Sequence, residues 1–295
     1  MPAISKSFYV FFSFFLGANL SAKEITTVTY IAPESDVDYR GIYDFDVLKL
    51  ALDKTRGKYG DYELKPAPSM PWPRIRVSLL ENRFKNLVAM DSYDDRRENE
   101  KLTYIDFPIH LDVASYRVCF VHSPTLLSGI KSKEEYKKYS YGYGKGWLDS
   151  DIFNYNGYKV IESISYEPLF KMVSYGKVDA FCRGINEVSQ EYQARRNEGL
   201  NIDGSMLFYY PLPRFFYVNK ASGALVDRIK EGLVISWNDK SLQLLFKKTF
   251  YDGISKLNIR ERRVVELENP YIINIKKDSL CYKFNPIDGG FSGCK

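Results

Sequence analysis

One ten-residue stretch constrains the fold of this chain more than any other, because it joins a glycine turn to a short apolar strand and an arginine. The stretch runs Tyr175-Gly176-Lys177-Val178-Asp179-Ala180-Phe181-Cys182-Arg183-Gly184. Gly176 allows a sharp exit from a preceding helix, and the apolar residues from Val178 to Phe181 are typical of a buried parallel strand. Arg183 follows at the carboxyl end of that strand, where open α/β sheets bind small molecules. The stretch therefore predicts an α/β fold with a ligand near Arg183.

The first 22 residues have the pattern of an export signal. Lys6 precedes an apolar run from Phe8 to Leu16, and Leu20-Ser21-Ala22 forms a cleavage site before Lys23. The apolar run is short for a membrane span. An uncleaved anchor is the alternative that this pattern leaves open. We expect residues 1–22 to be a signal peptide and the mature protein to be periplasmic.

Composition excludes some classes of function. The formal net charge of +5 comes from 42 basic and 37 acidic residues that are interleaved along the chain. Interleaved charges are typical of a solvated surface, so we expect no nucleic-acid partner. The roughly 270 residues after the signal are enough for two lobes that each have a core.

Four cysteines fit an oxidising compartment. Cys281 and Cys294 bracket a tail rich in Gly, Pro and Asn, and a disulfide between them would fix the C-terminus. Cys119 and Cys182 each lie in a predicted strand, and the sequence leaves open whether they are bonded or free. No Cys-x-x-Cys motif is present, so redox catalysis and zinc binding are disfavoured.

Strand and helix patterns alternate along the chain. The predicted strands are Ile25–Ala32, Tyr62–Ala67, Asn86–Met90, Val113–His122, Lys159–Ile161, Val178–Phe181 and the apolar segment Met206–Asn219. The predicted helices are Ile42–Thr55, Trp72–Phe84, a short one after Ser132, one near Leu148, Tyr166–Tyr175, Asn186–Glu198, Gly223–Trp237 and Ser241–Ser255. Ser132-x-x-Glu135 is a capping box, and Asn238 or Asp239 is available to cap the last helix.

Four segments in this order resemble a known family. They are the helix Asp46–Ala51 after the first strand, the run Met90–Glu98 followed by Tyr104–Pro108, the strand Gly176–Phe181, and Phe215–Lys220 followed by Gly232-Leu233. The chain resembles the type 2 periplasmic solute-binding proteins, in particular the family 3 group of amino-acid receptors. The resemblance implies an α/β, two-lobed fold in which each lobe is a mixed sheet flanked by helices, with two hinge crossovers. It places residues 24–112 and 206–280 in lobe one, 113–205 in lobe two, and 281–295 in a C-terminal tail.

The resemblance also implies ligand contacts in lobe one. In the family an arginine shortly after the third strand binds the substrate carboxylate, and Arg97 occupies that place, with Ser92 as a nearby hydroxyl ligand. A guanidinium suits this role because its planar donors meet both carboxylate oxygens. Arg96 is an alternative match, and a surface arginine paired with neighbouring acidic residues is another. Tyr39 and Arg40 are candidates at the start of the first helix.

In lobe two the family has an acidic residue that binds the substrate ammonium, and here that place is held by Gly184, beside Arg183. A cation there repels an ammonium group and favours an anionic one, so the sequence predicts an anionic solute. Glu187 or Asp149 is available to supply a carboxylate from elsewhere. Asp179 is expected to be structural.

The glycine-rich segment Gly142–Trp147 precedes a predicted helix start. Glycines let backbone N–H groups face a ligand, and Gly146 and Trp147 are therefore further candidates for ligand contact. The alternative for this segment is a tight turn with a buried tryptophan.

The sequence lacks the common catalytic signatures, and His110 and His122 are its only histidines. We therefore expect a binding protein rather than an enzyme, without cofactor or metal, that acts as a monomer on a small-molecule solute. A membrane permease is the expected partner. A sensory module that serves a membrane signalling protein is the main alternative, and a dehydratase-like enzyme on the same fold is a further one.

Overall fold

Two β-sheets form the framework of the two lobes. The computed structural model describes residues 25–33, 41–97, 99 and 101–294. Its strands are β1 Thr26–Ile31, β2 Tyr62–Ala67, β3 Leu87–Ser92, β4 Leu102–Tyr104, β5 Tyr116–Val121, β6 Ser140–Gly144, β7 Lys159–Ser163, β8 Ala180–Gly184, β9 Asn201–Ile202, β10 Met206–Tyr209, β11 Arg214–Asn219, β12 Arg263–Glu266, β13 Lys283–Phe284 and β14 Phe291–Ser292. The predicted signal peptide lies outside the described residues, as do Tyr39 and Arg40.

Helices cover both sheets. The α-helices are α1 Ile42–Lys54, α2 Arg56–Tyr59, α3 Trp72–Leu80, α4 Lys133–Tyr136, α5 Leu148–Tyr155, α6 Glu167–Ser174, α7 Val188–Ala194, α8 Gly223–Asn238 and α9 Ser241–Ser255. The 3-10 helices are Asp95–Arg97, Val113–Ser115, Lys220–Ser222, Ile259–Glu261 and Lys277–Leu280. None of the helices within the described residues combines the length and the apolar character that crossing a membrane requires.

Strand order divides the chain between the lobes. The first sheet has the order β2-β1-β3-β11-β4, and the second has the order β12-β10-β5-β8-β6-β7 with β9 beside β5. Both sheets are mixed, because β11 is antiparallel to its neighbours in the first and β5 is antiparallel to β8 in the second. The chain crosses directly between the sheets from β4 to β5 and from β10 to β11. The fold is thus the predicted two-lobed α/β arrangement with two hinge crossovers.

The second sheet also contains strands that come late in the chain. Strands β10 and β12 pair with each other, and β10 pairs with β5. Their residues, 206–209 and 263–266, therefore lie in the sheet of lobe two. The lobe boundaries at 113, 206 and 281 remain predictions, since pairing alone does not define where a lobe ends.

Most predicted elements are present, and those that differ lie at crossovers and turns. The strand predicted at Val113–His122 starts only at Tyr116, because Leu111 and Asp112 have positive φ angles of 48° and 67° and turn the chain before it. The segment Met206–Asn219 forms two strands rather than one, because it passes from one sheet to the other through a link that contains Pro211 and Pro213.

Two further elements, on either side of Arg183, differ from their predicted bounds. The strand predicted at Val178–Phe181 runs instead from Ala180 to Gly184, so Arg183 lies within β8. The backbone N–H groups of Val178 and Asp179 bind the carbonyls of Met172 and Ser140 instead of continuing the strand. The helix predicted at Asn186–Glu198 is shorter and covers Val188–Ala194.

Two disulfides are present. Cys119 and Cys182 face each other on the paired strands β5 and β8 and are bonded, which answers the question that the sequence left open. Cys281 and Cys294 are bonded as expected and close the hairpin of β13 and β14.

Candidate functional site

A cavity of about 140 Å³ lies between the two sheets. Lobe one contributes residues of β1, α1, α3, β3 and β11, while lobe two contributes the start of α5, the end of β8 and the loop after it. The polar and charged lining residues are Asp44, Arg76, Asp91, Ser92, Asp149, Arg183, Glu187 and Arg214. The large apolar and aromatic ones include Tyr30, Phe45, Trp72, Trp147 and Phe216. Such an apolar cavity with a few convergent polar groups is typical of a small-molecule site.

The cavity brings together some of the residues singled out from the sequence. Ser92, Trp147 and Arg183 line it. The carbonyl oxygen of Gly146 accepts a hydrogen bond of 3.0 Å from Arg76 Nη1, which links the two lobes at the edge of the cavity. Neither Arg97 nor Gly184 is among the described residues that line it.

Arg183 is held by carboxylates of its own lobe. Its Nε lies 2.9 Å and 3.0 Å from the two carboxylate oxygens of Glu191, and its Nη2 lies 2.8 Å from Glu191 Oε1 and 3.1 Å from Glu187 Oε1. The guanidinium carbon also lies 5.1 Å from the ring centre of Trp147. Burial acts to lower the pKa of Arg183, but the two glutamates outweigh it and hold that pKa well above its usual value. Arg183 therefore stays charged at the cavity wall.

Arg97 lies in an ionic network beside the cavity. Its Nε lies 2.9 Å from Asp94 Oδ2, and its Nη1 lies 3.2 Å from Asp91 Oδ2. Asp91 lines the cavity and also accepts from Arg76 Nε at 2.8 Å. The pairing with Asp94 matches the surface-pair alternative that the sequence raised, whereas the contact with Asp91 brings Arg97 close to the lining.

Arg96 bridges the two lobes outside the cavity. Its Nη2 donates to Asp94 Oδ2 at 2.7 Å and to Asp151 Oδ2 of α5 at 2.6 Å. Its guanidinium carbon lies 3.8 Å from the ring centre of Tyr271. The hydrogen bond with Asp94 raises the pKa of Arg96. These contacts give Arg96 a place in the interface between the lobes.

Glu187 is a carboxylate of the cavity wall that contacts three arginines. It is 9% exposed, and its oxygens lie 3.1 to 3.3 Å from guanidinium nitrogens of Arg117, Arg183 and Arg214. Its Oε2 also accepts from the backbone N–H of Gly184 at 3.0 Å. Burial acts to raise the pKa of Glu187, but the three arginines outweigh it and hold that pKa well below its usual range.

Arg214 was not predicted from the sequence as a site residue. It begins β11, pairs in register with Ser92, and is 7% exposed. Its Nη1 donates to Glu187 Oε1 at 3.2 Å, while its buried Nε has no hydrogen-bond partner among the described residues. A single arginine inside the apolar run Met206–Val218 was the available signal, since such a run tolerates a buried charge only where it has a partner.

A second buried group lies behind the cavity. Arg117 is fully buried, and its Nη2 lies 2.8 Å from Asp149 Oδ1. The hydroxyl of Tyr210 donates to the same oxygen at 2.6 Å. Burial raises the pKa of Tyr210, so its hydroxyl keeps its proton. Together these contacts fix the Asp149 carboxylate at the cavity wall.

His110 and Asp44 form a further pair, and His110 shares a smaller pocket with Glu187 and Glu191. His110 Nε2 lies 2.7 Å from Asp44 Oδ1, and Asp44 lines the cavity. His110 itself is 3% exposed and is not among the described residues that line the cavity. This geometry gives His110 the role of orienting a carboxylate of the cavity wall.

The glycine-rich segment forms the turn into α5. Gly146 has a φ of +76°, and a β-carbon on Gly144 would lie 2.3 Å from the indole ring of Trp147. The indole ring of Trp147 thus packs where a side chain at position 144 would lie, and α5 begins directly after Trp147. The segment is a tight turn, and its half-buried tryptophan lines the cavity. Ligand contact by Gly146 and Trp147 stays a prediction.

Comparisons with known proteins identify the fold. No protein-family model and no curated protein matches the chain. Among solved structures, the chain is similar to the arginine-, lysine-, histidine-binding protein ArtJ from Geobacillus stearothermophilus, at 17% identity and a TM-score of 0.57, over 77% of this chain and 96% of that one.

Two further solved structures share the arrangement. The GluR0 ligand-binding core in complex with L-glutamate has 11% identity and a TM-score of 0.60, over 77% of this chain and 98% of that one. A histidine kinase sensor domain with similarity to periplasmic binding proteins has 14% identity and a TM-score of 0.57, over 77% of this chain and 96% of that one. The chain therefore has the type 2 periplasmic-binding-protein fold. Identities this low show the fold alone, and fold does not assign a ligand.

Proposed function

We propose that this chain is an exported binding protein that holds a small polar solute with an anionic group in the cavity between its lobes. The observation that carries the proposal is Arg214, a buried guanidinium that lines the cavity with an Nε donor unpaired among the described residues. A buried donor without a partner costs free energy, and a ligand oxygen at that point would remove the cost. The predicted signal peptide and the two disulfides support export.

An anionic group is favoured because charged donors converge on the same space. Arg183 lines the cavity beside Arg214, and Ser92 is the register partner of Arg214 on the neighbouring strand. Guanidinium groups bind carboxylates with two parallel hydrogen bonds, and such charge-assisted bonds are the strong ones. Trp147 adds an apolar face next to Arg183. We propose Arg214, Arg183, Ser92 and Trp147 as the ligand contacts, while a contact from Arg97 remains a prediction of the sequence.

The ligand contact predicted from the sequence, Arg97, and the contact proposed from the structure, Arg214, can be distinguished by mutation. Arg97 already has Asp91 and Asp94 as partners, whereas Arg214 has Glu187 and an unpaired Nε. If the ligand binds Arg214, then Arg214→Gln should weaken binding by about 1.5–3 kcal/mol, the range for hydrogen bonds to charged groups. Arg97→Gln is the matched control and should weaken binding less.

The first experiment is a thermal-shift screen of the mature protein against amino acids, dicarboxylates, sugar acids and short peptides. A ligand present at about 100 times its dissociation constant stabilises the folded state by about 2.7 kcal/mol. Isothermal titration of a hit with the wild type, Arg214→Gln and Arg97→Gln follows. Unchanged affinity in Arg214→Gln would reject this residue as the anion contact. If anions never stabilise the protein while cations do, the proposed ligand class is wrong.

Delivery to a membrane permease is the proposed role of the bound form, and a monomer is the proposed state. The similarity to a histidine kinase sensor domain favours one second candidate, a sensory module that presents its ligand to a membrane signalling protein. Genes next to this one discriminate the two, since a permease with an ATPase indicates transport and a kinase or cyclase indicates sensing. Light scattering of the purified protein measures its oligomeric state.

The similar structures are mostly binding proteins, and we propose that this chain is not an enzyme. Recovery of the bound compound tests the point. The solute released from the protein after prolonged incubation should be chemically unchanged by mass spectrometry, whereas a converted compound would favour the dehydratase-like alternative.

A further inference from the structure

Glu187 lies where three arginines from three different strands meet. Arg117 comes from β5, Arg183 from β8 and Arg214 from β11, and each places a guanidinium nitrogen within 3.3 Å of a Glu187 oxygen. Arg183 is also paired with Glu191, and Arg117 also lies next to Asp149. For Arg214, Glu187 is the one carboxylate partner among the described residues. Removing the charge of Glu187 would therefore leave Arg214 unbalanced at the cavity wall.

The acceptor capacity of Glu187 is already filled. Oε1 faces Arg183 and Arg214, while Oε2 accepts from Arg117 and from the backbone N–H of Gly184. An ionised carboxylate has about four acceptor sites, two on each oxygen. Four protein donors occupy them, so Glu187 has no site left for an ammonium group of a ligand.

Gly184 makes room for this arrangement. A β-carbon at Gly184 would lie 2.4 Å from Asn186 Oδ1, 2.9 Å from Glu187 Oε2 and 3.2 Å from Arg117 Nη1. A side chain at position 184 would therefore require the side chains of Asn186 and Glu187 to shift. Position 184 thus has no acidic side chain, and the carboxylate of Glu187 occupies the space beside it.

On the basis of the function proposed above, we infer that Glu187 sets the charge class of the ligand by neutralising Arg214, which restricts the cavity to solutes with a single anionic group. The three guanidiniums are balanced by three carboxylates, those of Asp149, Glu187 and Glu191. One ligand carboxylate gains the Nε donor of Arg214. The other guanidinium of the described lining, Arg76, is paired with Asp91. A second negative group therefore adds charge that no unpaired cation of the described lining offsets, and burying an unpaired charge is unfavourable.

The test uses two pairs of probes that differ only by an amide in place of a carboxylate: glutamine with glutamate, and succinamate with succinate. Isothermal titration gives the ratio of the affinity for the probe with two carboxylates, glutamate or succinate, to the affinity for its amide partner. The wild type should prefer the amide partner. Glu187→Gln should raise the ratio about tenfold or more, because removing one negative charge leaves Arg214 unbalanced and able to attract the extra carboxylate at close range. An unchanged ratio in Glu187→Gln would overturn the inference.

Two controls separate charge from packing. Glu187→Asp keeps the charge and should keep the wild-type preference. Glu167→Gln removes a carboxylate of the same lobe that also pairs with an arginine, Arg195, at 2.8 Å and is not a lining residue of the cavity. It should leave the ratio unchanged. A shift of the same size in Glu167→Gln would show a general effect of net charge and contradict the specific role of Glu187.

A second variant covers the case in which Glu187→Gln does not fold. Glu187→Gln combined with Arg117→Gln removes one charge of each sign, so its preference should return to that of the wild type. A preference of this variant for the probes with two carboxylates would overturn the inference. The two proposals fail in different ways. A wild type that none of the four probes stabilises contradicts the proposed anionic-solute function itself, whereas a wild type that binds with an unchanged ranking in Glu187→Gln contradicts only the role of Glu187.

Discussion

Gly232 determines how closely helix α8 approaches helix α1, and its replacement by alanine tests whether this approach supports the cavity wall. A β-carbon at position 232 would lie 2.0 Å from the carbonyl oxygen of Ala51, and 2.6 Å and 2.8 Å from its carbonyl carbon and Cα. All three are backbone atoms of a helix. No side-chain rotation can relieve the clash, so the helices themselves must move.

The cost of that movement can be worked from the packing. To reach an ordinary contact of 3.4 Å from 2.0 Å, the helices must separate by roughly 1.4 Å at this point. The residues that pack nearby on the two helices, Val47, Leu52, Ile229 and Leu233, are fully buried and would lose contacts. Overpacking a well-packed core costs about 1–3 kcal/mol, and alanine returns up to about 1 kcal/mol through its higher helix propensity. We expect Gly232→Ala to lower the free energy of unfolding by about 1–2 kcal/mol.

Urea denaturation of the mature protein measures this change, and Gly223→Ala is the matched control. Gly223 begins the same helix and has no heavy atom within 4 Å of the position of an added β-carbon, so its replacement should be neutral or slightly stabilising. Because α1 carries Asp44, Phe45 and Leu48 of the cavity wall, Gly232→Ala should also weaken ligand binding. Equal unfolding free energies for Gly232→Ala and the wild type would refute the close approach of the two helices.

Three further predictions concern the disulfides, the response to pH and the tryptophans. The bridge between Cys119 and Cys182 spans 63 positions and that between Cys281 and Cys294 spans 13. Loop entropy predicts that replacing the first pair by alanine lowers the free energy of unfolding by about 4 kcal/mol, and replacing the second pair lowers it by about 3 kcal/mol. Equal losses or the reverse order in urea denaturation would contradict this prediction. Burial acts to raise the pKa of Asp94, but Arg96 and Arg97 lower it below its ordinary value. The ionised carboxylate therefore stabilises the fold above about pH 4, the pKa of Asp in the unfolded chain. This stabilisation is lost as the pH falls through the lower pKa of the folded state. Asp94→Asn should accordingly flatten the dependence of unfolding free energy on pH between neutral and acidic buffer, and an unchanged slope would contradict this account. Trp72 and Trp147 line the cavity, whereas Trp237 packs against Phe107 and Tyr282. A change in tryptophan fluorescence on ligand binding should therefore be lost in the double variant Trp72→Phe/Trp147→Phe and retained in Trp237→Phe. The reverse pattern would place the ligand elsewhere.

The sequence by itself determined the class of fold and many of its elements. Strand β2, Tyr62–Ala67, and helix α9, Ser241–Ser255, have the bounds that their patterns predicted. Ser132 caps α4 as the capping box indicated, with its hydroxyl accepting from the N–H of Glu135. These features depend on neighbours within a few positions, so the local sequence contains the information that specifies them.

Only the tertiary structure decided which charges meet. Arg183 was visible in the sequence at the end of a strand, but its pairing with Glu191 on α7 depends on how that helix packs on the sheet. Arg214 begins β11 of the first sheet, whereas Glu187 lies between β8 of the second sheet and α7, and the two meet at the cavity. An ion pair is set by a distance of about 3 Å in space, and local periodicity carries no record of such a distance between residues from separate lobes.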